Sequence, residues 1–250
     1  MVLFHTNWLL FCLLMALLGW IGHMALRRRT TAVVKRWLIG AALFNVGCST
    51  WFTFDLIADP TIDFPLSQNF PLHFCTLMTF LAVPAIWFKF RPLRALVYFP
   101  GVLGGFLTLF SPAEVYQGKP ILSLTTLFYT VHAFNVIVPV LMASLGIFKP
   151  RAHDVWQSII WFIALAAIIL PVTLACRAWI DPGANYFYFF DPEGAGILAL
   201  LWDKIQVPVL YEAPLLPIAL AACYGQYGLY KAGSAIGRKW AGQRPLRKVS

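Results

Sequence analysis

Charge is what this chain has least of. Asp, Glu, Lys and Arg make up 12% of its 250 residues, 60% are hydrophobic and the mean hydropathy is +0.74. A soluble domain carries about 25% charged residues, so a water-soluble fold is excluded. Cysteine is also sparse. Cys12, Cys48, Cys75, Cys176 and Cys223 fall in or at the ends of apolar segments, and none forms a Cys-x-x-Cys pair. That pattern supports neither a disulfide framework nor a zinc knuckle. His73, Cys75, His132 and Glu212 are ligand-type side chains, but no metal-binding spacing joins them, so neither metal nor cofactor is expected. Internal repeats and low-complexity segments are missing too.

What is present is long apolar sequence. Seven segments, roughly 7–26, 37–57, 71–88, 95–111, 123–147, 155–176 and 206–230, approach or exceed spanning length. The fold class is therefore all-α: a polytopic membrane protein with seven transmembrane helices, the fourth the shortest. A transmembrane domain covers residues 1–230 and a basic tail 231–250. The net charge of +9 raises the question of nucleic acid, but its placement answers no. Walked along the spans, 16 of the 19 basic residues fall on one side, with Lys119, Arg177 and Lys204 on the other. Among the acids only Asp154 shares the basic side. The positive-inside rule then puts the N-terminus outside and the C-terminus in the cytoplasm, with basic residues touching anionic lipid heads. The first span is too long for a signal peptide, and its basic cluster follows it.

Within the spans, Asn45 reads as a polar link between helices. Gly101 and Gly105 permit close backbone approach in the fourth span, which Pro100 kinks. The loop 58–70 is acidic, with Asp59 and Asp63. Residues 177–205 form the longest connection; its aromatic run Tyr186–Phe190 is suited to lying on the membrane surface or folding back as a lid. Pro208, Pro214 and Pro217 predict a broken or strongly bent seventh span carrying Glu212.

The chemistry-bearing side chains cluster by depth. Cys75 and His73 lie at the start of span three, His132 and Asn135 in span five, and Glu212 in span seven, all in the outer half. His73 and Cys75 are two residues apart and face different ways on a helix, so His132 is the better base for Cys75. Asn135, one turn below His132, is placed to orient its ring. Cysteine, histidine and asparagine then form a nucleophile, base and orienter. A competing class is a transporter or lipid/small-solute binding protein using Glu212 and a proline-broken last helix.

At Pro71-Leu72-His73-Phe74-Cys75 the chain resembles the YwaF family of bacterial integral membrane proteins, related to eukaryotic transmembrane protein 164. His132 on the fifth span and Asn185-Tyr186 ahead of the last span add to the resemblance. The family's Pro-Trp run entering the last helix stands here as Gln206-Val207-Pro208-Val209. The resemblance implies a seven-helix lipid enzyme of the bacterial cytoplasmic membrane, a cysteine-dependent phospholipid acyltransferase. On that resemblance Cys75 would be the nucleophile and His132 the base, while Asn135, from its place on the helix, would orient the ring or donate to the oxyanion. The reaction read from the residues is acyl transfer, or hydrolysis, on membrane phospholipid and lysophospholipid, with His73, Thr79, Tyr129, Asn185, Tyr186 and Glu212 as the expected contacts.

Overall fold

A computed structural model describes residues 6–58, 70–110, 124–193 and 196–242, and among these no strand occurs. Hydrocarbon offers backbone amides no partner but one another, which is why apolar sequence becomes helix here. The helices are α1 (Thr6–Leu26), α2 (Thr31–Ala58), α3 (Phe74–Trp87), α4 (Arg91–Phe110), α5 (Leu124–Ser144), α6 (Ala152–Trp179), α7 (Gly196–Trp202) and α8 (Leu215–Gly242). Five of them, α1, α2, α4, α5 and α6, are long and apolar enough to cross a membrane. The acidic loop with Asp59 and Asp63 lies outside the described residues.

Several boundaries differ from the sequence reading. The shortest of the apolar segments is α3, with 14 residues, and not α4, with 20. Residues Phe70–His73 are spent on a turn ahead of α3, closed by Leu72 N–H donating to the Phe70 carbonyl (2.8 Å). In α4 Pro92 extends the helix forward, because a first-turn proline loses no bond. The last helix is not broken. Pro208 and Pro214 precede α8 and Pro217 sits in its first turn, where the missing N–H has no helical partner to lose. Glu212 therefore stands in a 3₁₀ turn, Leu210–Glu212, ahead of the helix. At its other end α8 runs through residues 231–242 of the expected tail.

The bundle is built around α4 and α5. Helix α4 packs on α3, α5, α6 and α8, while α5 packs on α1, α2, α3 and α4. Asn45, on α2, donates to the Val131 carbonyl (3.3 Å) and to Asn135 Oδ1 (3.0 Å), the interhelical link its place in an apolar span predicts. Helix α1 is peripheral, with Gly19 and Gly22 against Ile137 and Leu141 of α5. At the end where α3 stops and α4 begins, one acid gathers the chain. Asp154, fully buried, accepts from Arg91 Nε (2.6 Å) and Nη2 (2.5 Å) and from the Arg151 amide (2.6 Å). Arg94 beside it donates to the carbonyls of Ala85 (2.9 Å) and Ile147 (2.8 Å).

Glycine sets how closely α4 and α5 approach. A Cβ at position 105 would lie 2.9 Å from the His132 carbonyl oxygen, whereas one at 101 would meet the Met78 side chain first, at 3.4 Å, with the Leu96 carbonyl oxygen at an ordinary contact distance of 3.6 Å. The first neighbour is backbone and cannot swing away; the second is a flexible side chain. Gly105→Ala is expected to lower the melting temperature of the purified protein, an overpacking cost of about 1–3 kcal/mol exceeding the helix-propensity gain. Gly101→Ala is expected to hold or raise it, since about 1 kcal/mol of propensity meets no clash. Equal shifts for the two variants would contradict this packing.

Candidate functional site

Cys75 is the second residue of α3, and His73 caps that helix in an extended conformation (φ −64°, ψ 144°) without a side-chain hydrogen bond. The first-turn amides thus keep their donors unoccupied by a cap. The thiol is half-buried and faces α4: Sγ lies 3.9 Å from Thr108 Oγ1. Thr108 donates its one proton to the Gly104 carbonyl (3.0 Å), so a lone pair remains for the S–H. Gly104 makes the room, for a Cβ there would stand 3.1 Å from the Phe74 ring and 3.7 Å from Sγ.

Beneath the thiol, a polar network ties three helices to the Cys75 backbone. Asn135 Nδ2 donates to the Cys75 carbonyl (2.9 Å), and Asn135 Oδ1 accepts from Asn45 Nδ2 (3.0 Å). The Thr79 hydroxyl lies 3.1 Å from the Cys75 carbonyl and 3.0 Å from Asn135 Oδ1, sharing one proton between them. All three side chains are buried, and Asn45 Oδ1 is sealed without a partner among the described residues. That oxygen apart, the hydrogen bonds of the network act in a low dielectric, where they are strong, and they tie the first turn of α3 to α2 and α5.

His132 is buried on α5, one turn before Asn135. Its Nδ1 lies 2.7 Å from the Phe128 carbonyl, which can only accept. Nδ1 therefore carries the proton and Nε2 keeps its lone pair, the form a general base needs. No hydrogen bond to Nε2 occurs among the described residues. The amide of Asn135 reaches α3 and leaves the imidazole to the backbone, which differs from the orienting role its spacing suggests. Both His132 and Cys75 border the α4 glycine pair, His132 through its carbonyl at Gly105 and Cys75 through its sulfur at Gly104.

The other expected contact residues divide into two groups. His73 meets the aromatic loop: its ring centroid lies 5.5 Å from that of Tyr186 and 5.8 Å from that of Tyr188. Asn185 holds that loop in shape. Its Nδ2 donates to the Asp191 carbonyl (2.8 Å) and to Glu193 Oε1 (3.0 Å), and its Oδ1 accepts from the Phe190 amide (2.8 Å). Tyr186 is buried, with its hydroxyl 4.0 Å from Cys176 Sγ. Phe187, Tyr188 and Glu193 adopt positive φ (59°, 62° and 45°), a strained backbone that side-chain bonds must hold in place. Burial pushes the Glu193 carboxyl up to about 7, with the Asn185 hydrogen bond opposing the shift. Tyr129 and Glu212 sit elsewhere. Tyr129 packs on Phe11 of α1 (6.1 Å). Glu212, next to Tyr211, has one sealed oxygen without a partner among the described residues, and the Tyr211 hydroxyl donates to the Tyr188 carbonyl.

Thr108 is the member of the site that sequence reading misses. A threonine in an apolar helix is ordinarily a hydroxyl folded back on its own backbone, and nothing in its spacing from Cys75 reveals that two helices meet there. Among the described residues no group of three or more His, Cys, Asp or Glu is placed to hold a metal ion.

No curated protein and no solved structure matches the chain. The model of the TMEM164 family does, over residues 1–223, and that match takes in every helix bearing a site residue. On that coverage, this integral membrane protein belongs to the TMEM164 family.

Proposed function

We propose that the protein transfers an acyl chain between phospholipids through a thioester on Cys75, with His132 as the general base. The observation that carries this is the thiol itself: held on Thr108, in the uncapped first turn of α3, above a network that immobilises its backbone. A thiol becomes a nucleophile only where its thiolate is stabilised, and helix-start amides are one such setting. The orientation fits the chemistry. On this reading α3 and α8 cross with the five apolar helices, and the distribution of Lys and Arg supports an outer N-terminus, with the α3 start in the outer leaflet.

In the reaction, His132 Nε2 takes the thiol proton by way of a bridging water, since the direct partner of Sγ is Thr108. The sulfur attacks the ester carbonyl carbon, a C–S bond forms, and the carbonyl electron pair moves onto oxygen. Amides of the first turn of α3 are placed to donate to that oxyanion. As the C=O re-forms, the C–O bond to glycerol breaks and the departing alkoxide takes the proton from the imidazolium. A lysophospholipid leaves. A second lysophospholipid hydroxyl, deprotonated by His132, then attacks the thioester and returns the thiol. Water in place of that hydroxyl gives hydrolysis.

Thr108 enters through its proton. When the sulfur ionises, the hydroxyl can turn its hydrogen from the Gly104 carbonyl to the thiolate, and bonds to charged groups are the stronger ones. Thr108→Val is therefore expected to slow alkylation of Cys75 at neutral pH by about five-fold, the ~1 kcal/mol separating a charged from a neutral hydrogen bond. Thr108→Ser should restore the rate; a serine variant as slow as valine would contradict it. The proposed activity is tested by supplying purified protein with acyl-labelled phospholipid and unlabelled lysophospholipid. Label should appear in the acceptor. Label remaining on the donor across phospholipid classes would overturn the proposal.

A further inference from the structure

Helices α2 and α3 are packed together at one end and open at the other. Leu38 and Ala42 share a buried core with Met78, Ala82 and Ala85, but toward the start of α3 the two helices part around a groove of about 320 Å³. Its walls are mixed. Ser49 and Thr53 of α2 face His73 and Thr76 of α3, and Phe54 and Phe80 form the rim. The rim is open to the surroundings, with Phe54 66% and Phe80 38% exposed, while Ser49 at the floor is 6% exposed. The threonine hydroxyls do not need water. Thr50 donates to the Val46 carbonyl (2.9 Å) and Thr53 to the Ser49 carbonyl (3.2 Å), which leaves their methyl groups for a hydrocarbon neighbour.

We infer that this groove is a lateral binding site for one acyl chain of a membrane glycerophospholipid, with the ester end at His73 and Thr76. A volume near the lower end of the ~300–1,000 Å³ range of ligand sites suits a single chain. It is too little for a helix about 10 Å across. The hydrocarbon rim against the bilayer and the polar floor beside the α3 start match a lipid along its length. His73 joins the two regions, since its ring also meets Tyr186 and Tyr188 of the outer loop. Thr76 directly follows Cys75, whose sulfur faces α4, so the groove and the thiol occupy neighbouring faces of the first turn of α3. In naming the bound chain as substrate, the inference rests on the acyl-transfer reading; the groove as a lipid site does not.

The test uses full-length protein in phosphatidylcholine–phosphatidylglycerol nanodiscs doped with a phospholipid bearing a diazirine midway along one chain. After irradiation, label should concentrate on peptides spanning 49–57 and 70–80 and fall about ten-fold, the equivalent of one decade in affinity, in Thr53→Trp. Thr76→Phe fills the groove from the opposite wall and serves equally if the tryptophan variant loses its fold. Cys75→Ala should label as strongly as the wild type, because occupancy needs no thiol. Label no denser there than on lipid-facing α1, unchanged by either filling variant, or replaced by a crosslink to a second copy overturns the groove. Strong labelling with no acyl transfer keeps the groove and sinks only the enzymatic reading.

Discussion

Cys75→Ala is expected to abolish acyl transfer, a loss of about 10⁴-fold or more, because without the sulfur no thioester can form and the remaining groups cannot split the reaction into two steps. The variant should fold. Alanine keeps the backbone carbonyl that Asn135 and Thr79 hold, and what it removes is a 3.9 Å contact to Thr108. Binding of phospholipid should persist with it, which separates a lost nucleophile from a lost site. His132→Ala should be milder, since a general base contributes about 10²–10⁴-fold and water can replace part of it. Cys75→Ala at wild-type rate, measured as label moved from phospholipid to lysophospholipid, would remove the thiol from the mechanism.

The second large effect concerns stability. Asp154→Ala is expected to cost about 3 kcal/mol, the lower part of the 3–5 kcal/mol range for breaking a buried ion pair. The lower figure applies because the Arg91 side chain is 34% exposed and water can replace some of what it loses, whereas the Asp154 side chain is 1% exposed. Part of the cost is a lost helix cap, since Asp154 also accepts from the Arg151 amide at the start of α6. Arg91→Met should cost at least as much, because it strands the buried Asp154 carboxylate, and the double variant less than the sum of the two, because neither charge is then stranded. Thermal unfolding in detergent measures all three. Strict additivity would show that the pair holds nothing together, and a loss below about 1 kcal/mol for Asp154→Ala would place the pair with ordinary surface contacts.

How much of this was legible beforehand depended on whether one residue's neighbours lay in its own helix. Apolar runs announce themselves, so the helices and the membrane class follow from hydropathy alone. Asn45 could be read as an interhelical link because hydrocarbon leaves a buried amide no other use. Ends were harder. Pro208, Pro214 and Pro217 look like a break, and only the start of α8 at Leu215 shows that they gather where a helix tolerates them. Asn135 illustrates the deeper limit. Its position one turn below His132 suggests a partner on its own helix, yet its amide is taken by the Cys75 carbonyl of another. Thr108 and the α2–α3 groove arise wholly from packing between helices. No periodicity within one segment encodes the azimuth at which it meets the next. The aromatic loop lies between these cases: its length and composition suggested a lid, while the side-chain bonds of Asn185 that shape it are visible only once the chain is folded.

The most direct measurement is mass spectrometry of the peptide containing Cys75 after the purified protein meets a phospholipid in the absence of an acceptor. One acyl group, with the mass of the supplied chain, should be found on Cys75, be released by hydroxylamine as a thioester is, and disappear when lysophospholipid is added. Transfer that proceeds while this peptide stays unmodified, or an adduct confined to another cysteine, would contradict the account.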